Sequence, residues 1–167
     1  MIMKNEALIS DLRSFEKLHN EVVQQNFKEW SNTIDMDFET MLELFPLSNE
    51  PKKLPITLVA LIDDKYCGCI SLRDGPLGRE KHPSAYYDDK PWISNLWVAD
   101  KVRGRGLATR LIEETEHLAK ALGYESLYIS TFLDSSLYDR IGYDEVGSGF
   151  LKGKSLRSLK KSLTTSV

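Results

Sequence analysis

The stretch Trp97-Val98-Ala99-Asp100-Lys101-Val102-Arg103-Gly104-Arg105-Gly106-Leu107-Ala108-Thr109 holds residue types suited to gripping a diphosphate. Its apolar start reads as a buried strand, its glycines as a turn, and Leu107 onward as the first turn of a helix. An opening helical turn leaves backbone N–H groups without carbonyl partners, all pointing out along the axis. Aligned peptide dipoles add about half a positive charge at that end. Gly104 and Gly106 carry no side chain to keep a ligand off the main chain. Arg103 and Arg105 add fixed positive charge on forked donors. Together these parts make a pyrophosphate cradle.

Spacing separates the protein classes that use such a cradle. A dinucleotide fingerprint needs Gly-x-Gly-x-x-Gly, but Gly104-x-Gly106 is followed by Thr109, and no acid closes the next strand. A Walker-type phosphate loop needs a glycine where Ser148 stands ahead of Gly153-Lys154-Ser155, and too little chain follows Ser155 for the usual helix and strand. Arg103-x-x-Gly106-x-Ala108, by contrast, resembles the Arg/Gln-x-x-Gly-x-Gly/Ala signature of the GCN5-related N-acetyltransferases (GNAT), in which this turn holds the pyrophosphate of acetyl-CoA. Leu137-Tyr138-Asp139-Arg140-Ile141-Gly142-Tyr143 is similar to the family's Leu-Tyr-x-x-x-Gly-Phe/Tyr block. The resemblance covers about Leu54 to Val146. Pro91-Trp92 ahead of a strand also looks like a small-molecule subgroup of the family.

The resemblance implies a single 1–167 domain with the α/β (α+β) GNAT fold: a mixed, mostly antiparallel central sheet, a splayed parallel strand pair, and helices on both faces. It implies acetyl-CoA as co-substrate, with no metal. Cofactor contacts carry over to the main chain at Leu96, Trp97 and Val98, which would pair the pantetheine arm and place an oxyanion donor. They carry over also to the turn Arg103, Gly104, Arg105, Gly106, Leu107, Ala108 and Thr109. Thr131 falls where many relatives have a cofactor-binding asparagine, with a shorter reach and no amide. Tyr138 matches the tyrosine that protonates the leaving sulfur. A phenol near 10 and a thiol near 8.5 in reference pKa suit that transfer.

A substrate ammonium must lose a proton before it attacks. Asp74 is the first candidate base, with Glu80, His82, Asp88 and Asp89 behind it. Trp30, Asp88 and Trp97 are the candidate substrate contacts, and Asp74, Asp88 and Asp89 together favour a cationic acceptor. The implied activity is acetyl transfer from acetyl-CoA to a primary amine of a small, cationic molecule. Two other readings are an acyl-CoA-binding sensor without catalysis and a protein or peptide N-acetyltransferase. The acceptor stays open among polyamine, aminoglycoside, amino acid and peptide, and a homodimer stays open too.

The elements that must position these residues follow from hydrophobic spacing. Leu8, Leu12, Phe15, Leu18, Val22, Phe27 and Trp30 predict one amphipathic helix, broken at Ser31-Asn32. A short helix is expected from Asp37 to Phe45, ended by Pro46. Leu54–Ile62 and Cys67–Leu72 read as a hairpin across Asp63-Asp64-Lys65. Arg73 to Lys90 reads as a long binding loop or lid, with Tyr86 and Tyr87 among its aromatics. Then come a strand over Pro91–Val98, a helix from Gly106 stopped by Gly123, and a strand over Ser126–Phe132. A short helix over Ser135–Ile141 and strands over Tyr143–Phe150 and Leu156–Leu163 complete the mixed sheet.

The composition frames the same picture. The chain has 167 residues, 41% apolar and 28% charged, with a formal charge of −3. That balance gives no global pull toward nucleic acid or an anionic membrane. No apolar run reaches bilayer length, and the first ten residues lack a signal-peptide core, so a cytoplasmic location is expected. Cys67 and Cys69 sit two apart on one strand, too far for an unstrained bridge, and read as buried thiols.

Overall fold

The computed structural model describes residues 6–76, 89–132, 137–151 and 153–164. Among these residues seven strands form one sheet: β1 (Leu8–Asp11), β2 (Ile56–Ile62), β3 (Lys65–Arg73), β4 (Trp92–Val98), β5 (Ser126–Thr131), β6 (Asp144–Leu151) and β7 (Lys154–Ser162). Their order is β1-β2-β3-β4-β5-β7-β6. The helices are α1 (His19–Ile34), α2 (Phe38–Glu43), α3 (Leu107–Ala121) and α4 (Leu137–Arg140). β4 and β5 are parallel, whereas the β1–β2, β5–β7 and β6–β7 ladders are antiparallel. This is the mixed, mostly antiparallel sheet that the resemblance implied. Among the described residues no helix is long and apolar enough to cross a membrane.

By backbone contacts the chain divides into two compact units, Met1–Ser71 with Asn95–Thr115, and Leu72–Ser94 with Glu116–Val167. In the first unit a core of Leu12, Leu18, Val22, Val23, Met41, Phe45, Val59, Leu61 and Cys69 forms under α1 and α2. The hairpin turns on Asp63 and Asp64 at φ 51° and 63°. Two left-handed central residues match the right-handed twist of the flanking strands. In the second unit Trp92 is fully buried, its ring stacked on Tyr128 at 5.2 Å.

The single helix expected from Leu8 to Trp30 is not what forms. Leu8–Asp11 is a strand, paired Leu8↔Leu61 through Asp11↔Leu58. Leu12–Ser14 and Glu16–Leu18 are 3₁₀ turns, and the α-helix starts only at His19. The reason lies in the spacing: Leu12, Phe15 and Leu18 recur every three residues, which a 3₁₀ turn satisfies as well as an α-helix. The unpaired edge of β2 then takes up the apolar residues before them. Ser31-Asn32 does not break α1 either. The helix runs on to Ile34 and ends at Asp35, left-handed at φ 56°. Ile34 and Met36 pack on the core, which outweighs the modest propensity cost of serine and asparagine. The stop at Gly123 forms as expected: Gly123 N donates to Lys120 O and Tyr124 N to Ala119 O, both at 3.0 Å, with Gly123 at φ +93°.

Candidate active site

In the first unit β4 runs into a 3₁₀ turn at Asp100–Val102, a glycine turn, and then α3. Gly104 and Gly106 take φ +78° and +79°, and a Cβ built on either meets nothing within 4 Å. Side chains are strained at such φ values, so glycine is needed here for backbone reasons, over open space. Arg103 to Gly106 are exposed, while Leu107 is buried and anchors the helix. Arg110 N donates to Gly106 O at 3.1 Å, closing the first helical turn. The N–H groups of Leu107, Ala108 and Thr109 precede that bond and have no carbonyl one turn back within the helix. Open space, exposed main-chain donors and a helix mouth fit a diphosphate.

The two arginines divide their roles. Arg103 Nε donates to Val98 O at 2.8 Å, and its Nη1 lies 3.0 Å from Asp100. That guanidinium ties the turn back onto the end of β4. Arg105 is exposed and has no partner among the described residues. It is therefore the arginine better placed to meet an anion.

β4 departs from a plain strand in a way its sequence does not announce. Asn95 stands at φ 57° in mid-strand and is buried. Asparagine tolerates that left-handed conformation better than most residues. The parallel ladder with β5 covers Trp92↔Tyr128 and Ile93↔Ile129, whereas β4 continues through Leu96, Trp97 and Val98. A Cβ on Gly68 would come within 3.0 Å of Trp97 O and 3.3 Å of Leu111 Cδ1. Gly68 thus lets both β4 and α3 sit close to β3.

Trp30 and Trp97, expected as substrate contacts, both lie in the first unit and are half-buried. Trp97 stacks on Tyr66 at 5.4 Å. Tyr66 Oη donates to Gln25 Oε1 at 2.6 Å, Asn26 Nδ2 donates to the same oxygen at 3.0 Å, and Cys69 Sγ donates to Asn95 O at 3.1 Å. Both cysteines are free and buried, as expected, and burial pushes the Cys69 thiol up to about 11. Trp30 Nε1 is buried and finds no acceptor among the described residues. Sequence reasoning missed Gln25 and Asn26, whose only signal was a polar pair on an otherwise apolar helix face.

The second unit holds Tyr138, Thr131 and Asp74. Tyr138 is buried on the one-turn helix α4, its ring edge-on to Tyr143 at 5.6 Å. Its carbonyl accepts from Ile141 N and Tyr143 N. Burial raises its pKa, so the phenol keeps its proton at neutral pH. Thr131 is buried at the end of β5 and pairs with Arg157. Asp74 is exposed on the bend after β3, next to Arg73, whose guanidinium burial lowers to about 10. The expected loop over Arg73 to Lys90 is described only at its ends: Arg73 closes β3, and Asp89 is exposed, whereas Glu80, His82, Tyr86, Tyr87 and Asp88 lie outside the described residues.

Tyr66, Tyr138 and Tyr143 all have pKa values raised, first by burial. An unfolded phenol releases its proton near pH 10, so above that the unfolded chain binds fewer protons and stability falls as pH rises. A Tm profile should be insensitive to these groups below about pH 9 and drop steeply beyond about pH 10. A flat profile through that range would contradict their burial.

Residues 15–143 match the family model described as acetyltransferase (GNAT) family, and the chain belongs to that family. It is therefore an acetyltransferase, of a family that uses acetyl-CoA. No curated protein matches the chain by sequence. Similar solved structures include an aminoglycoside 6′-acetyltransferase type Ii, at 18% identity over 96% of this chain and 99% of that one, with a TM-score of 0.70. An aminoglycoside 6′-N-acetyltransferase complexed with coenzyme A matches at 16% identity over 96% and 99%, TM-score 0.69. A GNAT-family acetyltransferase from Streptococcus pneumoniae matches at 18% over 94% and 99%, TM-score 0.68. At these identities the likeness is one of fold.

Proposed function

We propose that this chain moves the acetyl group of acetyl-CoA to a primary amine of a small, cationic molecule. The observation that carries the reading is the turn at Gly104–Gly106: two left-handed glycines under open space at the mouth of α3. When bound, acetyl-CoA supplies the acetyl group as an activated thioester. The N–H groups at Gly106–Thr109 and the Arg105 guanidinium would hold its diphosphate. The main chain of Leu96 and Val98 would orient the pantetheine arm, and an N–H of that segment would face the developing oxyanion, a donor worth a few kcal/mol. Thr131 would add a shorter contact than the asparagine of many relatives. Tyr138 Oη would hold the proton that the departing sulfur takes up.

On the acceptor side, Asp74 is the group we assign to take the ammonium proton. Trp30 and Trp97 would wall the amine, and Asp74, Asp88 and Asp89 favour a cation. Two of the structural neighbours are named as aminoglycoside acetyltransferases, which supports a small polycationic acceptor.

Thiol release from acetyl-CoA, measured against spermidine, kanamycin, lysine and a lysine-bearing peptide, tests this. Turnover with spermidine or kanamycin is expected. Turnover with the peptide alone would overturn the small-molecule reading. Tight coenzyme binding without turnover of any of the four would favour the sensor.

A further inference from the structure

α4 is one turn long, too short to hold a side chain in place by its own hydrogen bonds. What surrounds it in the second unit is a pair of ionic ties. Arg157 on β7 reaches Asp139, the residue next to Tyr138, with Nη1 to Oδ2 at 3.0 Å and Nη2 to Oδ1 at 2.9 Å. Its Nε donates to Glu145 on β6 at 3.0 Å. The Arg157 side chain is 17% exposed and Asp139 39%, so what sets this contact apart is its two-pronged geometry, not seclusion from water. In register Arg157 faces Thr131 on one side and Ser148 on the other, so its backbone is fixed in both ladders. Tyr143, whose ring meets Tyr138 edge-on, donates its Oη to Glu116 Oε1 at 3.0 Å, and Lys161 Nζ reaches both Glu116 oxygens at 3.1 Å.

We propose that Arg157 is a positioning residue for the transfer step: its fork on Asp139 sets where the Tyr138 phenol points. The inference rests on Tyr138 as the proton donor. The arginine touches neither coenzyme nor amine in this scheme and acts only through α4. Its planar fork makes the choice of arginine specific, because lysine offers a point charge and one direction.

The test is a double-mutant cycle on kcat, run with acetyl-CoA and the fastest amine of the four above. Arg157→Gln is expected to lower kcat by about tenfold and to leave KM for acetyl-CoA within about twofold. In a Tyr138→Phe background the same substitution should change kcat by less than about twofold, because the group it positions is gone. Equal losses in both backgrounds, or a change confined to KM, would overturn the proposal while leaving Tyr138 in its role. A Tyr138→Phe enzyme with unchanged kcat would instead sink the tyrosine assignment, and the positioning role with it.

Asp139→Asn cuts the same tie from the other end and serves if Arg157→Gln does not fold. It should reproduce the kcat loss, and a wild-type kcat would count against the tie. One readout needs no acceptor. With 3-fluorotyrosine at position 138, the ¹⁹F line should be single and sharp beside Arg157, and broadened or split in Arg157→Gln. An unchanged line would overturn the proposal.

Discussion

Replacing Gly106 with valine is expected to weaken coenzyme A binding by about a hundredfold, an effect as large as about 2.7 kcal/mol. The argument is conformational before it is steric. Gly106 sits at φ +79° with open space where a side chain would go, so valine fits the volume and fails on the backbone. Holding a β-branched residue there costs on the order of 1–3 kcal/mol, and the turn relieves that strain by rotating its peptides. Rotation would move the N–H groups that are proposed to hold the diphosphate. Gly153 provides the control, because it has φ +76° and equally open surroundings in the turn between β6 and β7. Gly153→Val should lower Tm by a similar amount with coenzyme affinity unchanged, as read by calorimetric titration. If both variants bind like the parent protein, the turn is not the cradle.

Tyr138→Phe is expected to reduce kcat by about 10²–10⁴-fold, the range for removal of a positioned general acid. Phenylalanine keeps the edge-on contact with Tyr143 and the buried ring, so the fold should lose little. KM for acetyl-CoA should stay near its parent value, since the Gly104–Gly106 turn is untouched. Burial holds the Tyr138 pKa above the usual phenol range, so ionisation of this group should not appear as a falling alkaline limb in kcat below about pH 10. Steady-state kinetics across pH check both statements. A kcat within about twofold of the parent would remove Tyr138 from the reaction.

The glycine turn ahead of α3 was legible in the chain because its determinants are local. Arg103, Gly104, Arg105 and Gly106 are consecutive, and the helix after them carries its own apolar period and its own glycine stop. The β2–β3 hairpin was legible for the same reason: β-rich segments joined through Asp63-Asp64. Non-local features were not legible. The Leu8–Asp11 segment is a strand only because the edge of β2 is there to pair it, a contact about 50 residues away along the chain. The left-handed Asn95 sits in Ile93-Ser94-Asn95-Leu96-Trp97, which reads as ordinary strand. The Arg157 ties join residues 12 and 18 positions apart, and the Lys161–Glu116 pair spans 45. Single charged residues in a Ser- and Lys-rich tail gave no sign of those partners. The contact of Arg103 Nε with the Val98 carbonyl was not legible either, because it depends on how the turn folds.

The central claim is that main-chain donors at the start of α3 receive the coenzyme's diphosphate, and the backbone amides themselves can report it. A ¹H–¹⁵N titration with coenzyme A should move the resonances of Gly104, Arg105, Gly106, Leu107, Ala108 and Thr109 the most, saturating together. Saturation in which those six stay fixed while amides elsewhere shift would contradict the account.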